Sequence, residues 1–232
     1  MAIWFDGLFL VSLLVVAPLY VVWRRRTQDT RASRPGPAKY LPTISMAAIM
    51  LALLWLTWTT NNRALEDIGL GYPNGKGLIG VVLAGIIVGF GIAMSVMPSK
   101  KWSEEFAQLD AEQIAFVPSS IVEWIAYVGF ALITGFAWEV LYRGALLYYF
   151  TPFMSVPVAM LLAAAVYTLT HGAKSLKAYA GTFVMALAFL AFFVVSENLW
   201  GPIILHIAAP LVGGIAMRRL IQKNAEDRTV DG

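Results

Sequence analysis

The charges of this chain gather in short clusters between seven apolar runs, and that spacing constrains the fold more than any other feature. The runs cover residues 2–23, 43–59, 78–97, 120–150, 156–170, 179–195 and 202–217. A helix needs about 20 predominantly apolar residues to cross the hydrocarbon core of a bilayer. Charged residues make up only 13% of the 232 residues and hydrophobic ones 59%, whereas an ordinary soluble domain is about a quarter charged. So few charges cannot cover a water-facing surface. The expected fold is all-α: a polytopic transmembrane helical bundle of about seven spans. It forms a single transmembrane domain over residues 1–232, with no length left for a separate soluble one.

A sequence pI of 9.2 would suit nucleic acid, but the basic residues flank apolar runs and form no patch interleaved with aromatics, so no nucleic-acid partner is expected. Their distribution instead orients the bundle. Arg24, Arg25, Arg26, Arg31, Arg34, Lys39, Lys100, Lys101, Lys174, Lys177, Arg218, Arg219, Lys223 and Arg228 fall on one side. Only Arg63 and Lys76 fall on the other, and Arg143 lies within a run. Fourteen of the 17 basic residues thus mark one side as cytoplasmic. The N-terminus is expected outside and the tail after Met217 inside, in an integral protein of a bacterial plasma membrane. The first run carries Asp6 in place of a basic lead-in and reads as an uncleaved span, not a signal peptide.

Two local signals refine the helices. Ser120-Ile121-Val122-Glu123 is a capping box that opens the fourth run. That run exceeds the crossing length, which implies tilt, a break near Gly135, or a start outside the hydrocarbon. Gly85 and Gly89 form a small-xxx-small pair, which either brings the third helix close to a neighbour or is simply tolerated. No internal repeat suggests an inverted-repeat transporter.

Ionisable groups inside hydrocarbon are costly and point to function. Asp6, Glu123 and Glu197 lie near span ends, whereas Glu139 and Arg143 lie well inside the fourth run. Four positions apart, these two share a helix face and can pair, and the guanidinium favours the carboxylate form of its partner. The two histidines of the chain, His171 and His206, lie at the end of the fifth run and early in the seventh. A carboxylate can act as general base towards water, and a neutral imidazole can orient water or polarise a carbonyl. Polar pairs that lock helices together are the structural alternative. With no cysteine, disulfides, thiolate metal sites and a cysteine nucleophile are excluded. His-Glu-x-x-His and Gly-x-Ser-Gly are absent, and Asp6 is the only aspartate in a span. A protease site in this chain would be built from Glu139, His171 and His206.

At these residues the sequence resembles the CPBP family of CAAX-prenyl-protease and bacteriocin-processing (Abi) membrane proteins. That family carries Glu-Glu-x-x-x-Arg, Phe-x-x-x-His and His-x-x-x-Asn or Asp on successive helices. Glu139 to Arg143 followed by Gly144 matches the first motif, Tyr167 to His171 the second with Tyr for Phe, and residues 198–206 the approach to the third. Residues 65–70 look like a segment often found upstream. The resemblance covers roughly residues 65–217 and is strongest from residue 135. Two positions depart from the pattern: Trp138 stands where the first glutamate would be, and Pro210 where the Asn or Asp would be.

The resemblance implies an intramembrane endopeptidase with glutamate-dependent hydrolysis of peptide bonds in membrane-associated substrates. Its partners would be membrane lipid and a peptide or protein substrate. Glu139 would be the general base, His171 would position the water and His206 would stabilise the oxyanion. Arg143 would orient Glu139, and Tyr167 would pack within the site. One carboxylate and two histidines could also ligate zinc, but no second shell is recognisable, so no metal or other cofactor is expected. The departures at Trp138 and Pro210 leave an alternative, a catalytically inactive CPBP-like scaffold or binding protein.

Overall fold

A computed structural model of the chain describes residues 2–28, 36–96, 111–172 and 175–230. The linker residues 29–35, the loop residues 97–110 with Lys100, Lys101, Glu104, Glu105 and Asp110, and Lys174 lie outside the described residues. The described residues form helices and turns with no strand, arranged as a helical membrane bundle.

We number the helices α1 (residues 2–28), α2 (Leu41–Thr60), α3 (Gly75–Val96), α4 (Ala111–Phe116), α5 (Ile121–Phe150), α6 (Val156–His171), α7 (Leu176–Ser196) and α8 (Trp200–Val230). Six of them are long and apolar enough to cross a membrane; α6, at 16 residues, is the shorter seventh, and α4 is a single short piece. Local chemistry sets their ends. Proline occupies the first turn of α2 and of α6, where its missing N–H costs nothing. The hydroxyls of Ser120 and Ser175 cap α5 and α7 by accepting from Glu123 and Ala178 amides. The capping box is only half formed, because the Glu123 carboxylate turns to the Ser119 amide at 2.7 Å and to Lys39 at 3.0 Å. Gly172, at φ 65°, closes α6 in the left-handed region that favours glycine.

Polar contacts gather at the two ends of the bundle. At one end Arg63 grips Asp6 with two hydrogen bonds of 2.7 and 2.8 Å and also donates to the Tyr149 hydroxyl. The bonds to Asp6 push the Arg63 guanidinium still further towards its charged form. Asn198 and Trp200 donate to the Gly71 carbonyl, and Lys76 pairs with Glu197, at this same end. At the opposite end Lys39 meets Glu123 and the Ala115 carbonyl, Tyr40 donates to the Phe116 carbonyl, and Arg218 reaches the Ser119 carbonyl. Tyr149 at the close of α5 and Glu197 just past α7 are therefore at one end, so α6 carries the chain back between them. Counting α6, seven of the described helices run alternately from end to end.

The core centres on α5, flanked by α2, α6 and α8, with α1 packed on α2 and α3 on α8. Helix α5 does not break at Gly135; it stays α-helical to Glu139 and then loosens into a π-helical turn, Val140–Ala145. Gly85 and Gly89 have nothing within 4 Å of where a Cβ would stand, so the close-approach reading of that pair is wrong. The face of α3 that meets its neighbours carries Gly77 and Gly80 instead, against Asn198, Ser196 and Gly201.

Candidate active site

Glu139 ends the regular part of α5, and the π turn that follows holds Arg143. Such turns are rare and recur at functional sites. Counted along the helix at about 1.5 Å per residue, Glu139 lies about 16 Å from the Asp6 end of α5. Tyr167 lies about as far along α6 from the same end. The two halves of the site meet at one depth because α6 is short, while the first half of α5 continues past it towards Lys39.

The side chain of Glu139 is completely buried and that of Arg143 nearly so, with Arg143 Nε 3.3 Å from Glu139 Oε2. The pair is ionic without hydrogen-bond alignment. The other carboxylate oxygen, Oε1, meets Nδ1 of His206 at 2.5 Å. That contact spans α5 and α8 and depends on a close crossing one turn away. A Cβ on Gly135 would stand 2.9 Å from the Ile207 backbone nitrogen, so only glycine lets His206 come this near.

Aromatic rings enclose the charges. The Arg143 guanidinium sits over the Tyr167 ring at 4.2 Å and faces Phe189 of α7 at 5.5 Å, a cation–π arrangement that lowers the cost of burying it. Tyr167 stacks on His171 at 5.4 Å and meets His206 edge-on at 6.4 Å, while Phe189 meets His206 at 5.8 Å. His171 is exposed and the His206 side chain is 18% exposed. All five expected residues thus fall in one cluster. Glu139 touches Arg143 and His206 directly, and His171 joins through Tyr167.

The segment 65–70 is part of the support. Its 3-10 turn, Leu65–Ile68, lies on the π turn, because a Cβ on Gly144 would stand 2.7 Å from the Ile68 carbonyl oxygen. Gly69 then turns away at φ 81° under the Phe193 ring. Trp138 is only half-buried, tilted against Tyr142 at 5.8 Å. Among the described residues no three His, Asp or Glu side chains are grouped so as to hold a metal ion. An apolar groove of about 510 Å³, lined by Leu70, Tyr72, Pro73, Val81, Trp200 and Ile204, includes none of the five site residues.

Phe189 escaped sequence reading, since it sits in the apolar stretch of α7 among several other phenylalanines, and no periodicity distinguishes one ring from another. Gly135 was legible only as a possible break.

A helical membrane bundle with a buried carboxylate, held between a guanidinium and an imidazole from another helix, is the class of protein that fold and site define. Residues 120–212 match the family model described as Rce1-like: type II CAAX prenyl endopeptidase Rce1-like. The matched region contains all five site residues and bears out the CPBP resemblance. No curated protein and no solved structure matches the chain.

Proposed function

We propose that this chain is an intramembrane endopeptidase of the CPBP type, hydrolysing peptide bonds in membrane-associated substrates. One observation carries the reading. The carboxylate of the Rce1-like region, Glu139, is buried in contact with both Arg143 and His206, two ionisable groups from separate parts of the sequence. A packing device could use apolar side chains at far lower desolvation cost; a hydrolytic centre needs the charge. Glu139 supplies it, Arg143 orients it, His171 and His206 carry the site to its exposed side, and Tyr167 joins the two histidines. Together they hold a water and stabilise an oxyanion at a scissile carbonyl. The protein sits in a bacterial plasma membrane with the Asp6 end outside and the tail after Met217 in the cytoplasm.

A second reading, an inactive scaffold that keeps the fold, draws on Trp138 and Pro210 at two positions of the family pattern. One comparison separates the two. Wild type and Glu139→Gln are assayed at matched protein levels, for peptide cleavage in proteoliposomes and for a cellular phenotype tied to the gene. A protease loses roughly two to four orders of magnitude in rate. Equal function in the two proteins retires the protease reading.

A further inference from the structure

The hydrolytic reading leaves open which atom takes the proton from water, and the burial pattern answers it. Glu139 has no exposed surface, and its contacts are Arg143 and His206. A carboxylate closed off in this way cannot touch the attacking water. Of the two groups that touch Glu139, His206 has the greater exposed surface, 18% of its side chain against 2% for Arg143. Its Nδ1 faces inward to Glu139, so Nε2 lies on the opposite edge of the ring, with no hydrogen-bond partner among the described residues.

We propose that Nε2 of His206 is the proton-accepting atom of the site and that Glu139 is a positioning residue that fixes the imidazole tautomer. An ionised carboxylate only accepts hydrogen bonds. With Glu139 in that form, its Oε1 contact with Nδ1 of His206 places the ring proton on Nδ1 and leaves the lone pair on Nε2. This rests on the hydrolytic reading above and moves the base, which the resemblance implied at Glu139, to His206. The step balances with water alone. Nε2 takes one proton from water as its oxygen bonds to the scissile carbonyl carbon, giving a tetrahedral oxyanion and an imidazolium held against Glu139. The carbon–nitrogen bond then breaks, and the Nε2 proton passes to the departing amine nitrogen, leaving a carboxylic acid and an amine. His171, across the Tyr167 ring, lies on the exposed side of the same cluster.

The chain holds only two histidines, so ¹⁵N-histidine labelling of the full-length protein in phosphatidylethanolamine–phosphatidylglycerol vesicles gives two pairs of ring-nitrogen signals, assigned with His171→Asn. Solid-state NMR of the wild type is expected to show a neutral His206 ring protonated at Nδ1, and Glu139→Gln to abolish that preference. Protonation at Nε2, a doubly protonated ring at neutral pH, or an unchanged His206 signal in Glu139→Gln overturns the assignment. Cleavage gives the second test. His206→Gln is expected to lower the rate by about 10²–10⁴-fold, and a rate within tenfold of wild type also overturns it. Wild type that cleaves no peptide fails the hydrolytic reading instead, and the tautomer, read without turnover, still decides the role of Glu139.

Discussion

Replacing Gly135 by alanine tests whether one helix crossing sets the geometry of the site. The new Cβ would stand 2.6 Å from Ile207 Cγ1, 2.9 Å from its backbone nitrogen and 3.1 Å from its Cα. A side chain could swing aside, but the two backbone atoms move only with α8. Restoring ordinary contact, at 3.4 Å or beyond, parts α5 and α8 by at least about 0.5 Å. Glu139 and His206 lie one turn and one residue from this contact, so their 2.5 Å bond stretches with it. Overpacking of this kind costs about 1–3 kcal/mol, and a misplacement approaching 1 Å in a catalytic array costs up to about 10²-fold in rate. Thermal unfolding in detergent and peptide cleavage in vesicles should both register the change. Gly85→Ala and Gly89→Ala, where nothing lies within 4 Å, are the controls and should behave as wild type. Wild-type stability and rate in Gly135→Ala would refute the idea that this crossing positions the pair.

Other perturbations follow from the same geometry. Arg63→Ala removes the three hydrogen bonds that tie the loop after α2 to α1 and α5 and should cost about 2–3 kcal/mol in unfolding experiments, as expected for charge-assisted bonds. By contrast Lys76→Ala breaks an exposed pair and should change stability by less than about 1 kcal/mol, with the difference vanishing in high salt. Gly69→Ala forces a side chain into φ 81° against Phe193. It should cost about 1–2 kcal/mol from the backbone alone, lowering the midpoint of thermal unfolding. Reporter fusions at Met1 and Gly232 should land on opposite sides of the membrane; the same side for both would contradict seven crossings.

Much of the architecture was legible because the bilayer imposes one rule, apolar helices with charges at their ends, and the sequence obeys it visibly. The Glu139–Arg143 pair was equally plain, since four residues on a helix always share a face. What could not be read was contact between elements. His206 is 67 residues from Glu139, and its approach depends on Gly135, a residue indistinguishable in sequence from Gly85 or Gly89. The Asp6–Arg63–Tyr149 cluster was hidden for the same reason, although an aspartate in an apolar helix and one of only two basic residues on that side were the clues. The loosened turn after Glu139 left no trace in the sequence, because Val-Leu-Tyr-Arg-Gly-Ala would also fit a regular helix.

Helix α6 has a consequence for the lipid around it. Its 16 residues give a rod of about 24 Å, shorter than a hydrocarbon layer of about 30 Å, and Val158, Leu161, Leu162 and Leu169 are exposed along it. Beside α6 the acyl chains must shorten or tilt to meet it, so the bilayer thins locally on the flank where His171 ends the helix. Each ångström of mismatch costs a fraction of a kcal/mol, and that cost grows with acyl chain length. Membrane thickness therefore acts on the protein through α6, and a thick bilayer strains the side of the bundle that carries the exposed histidine.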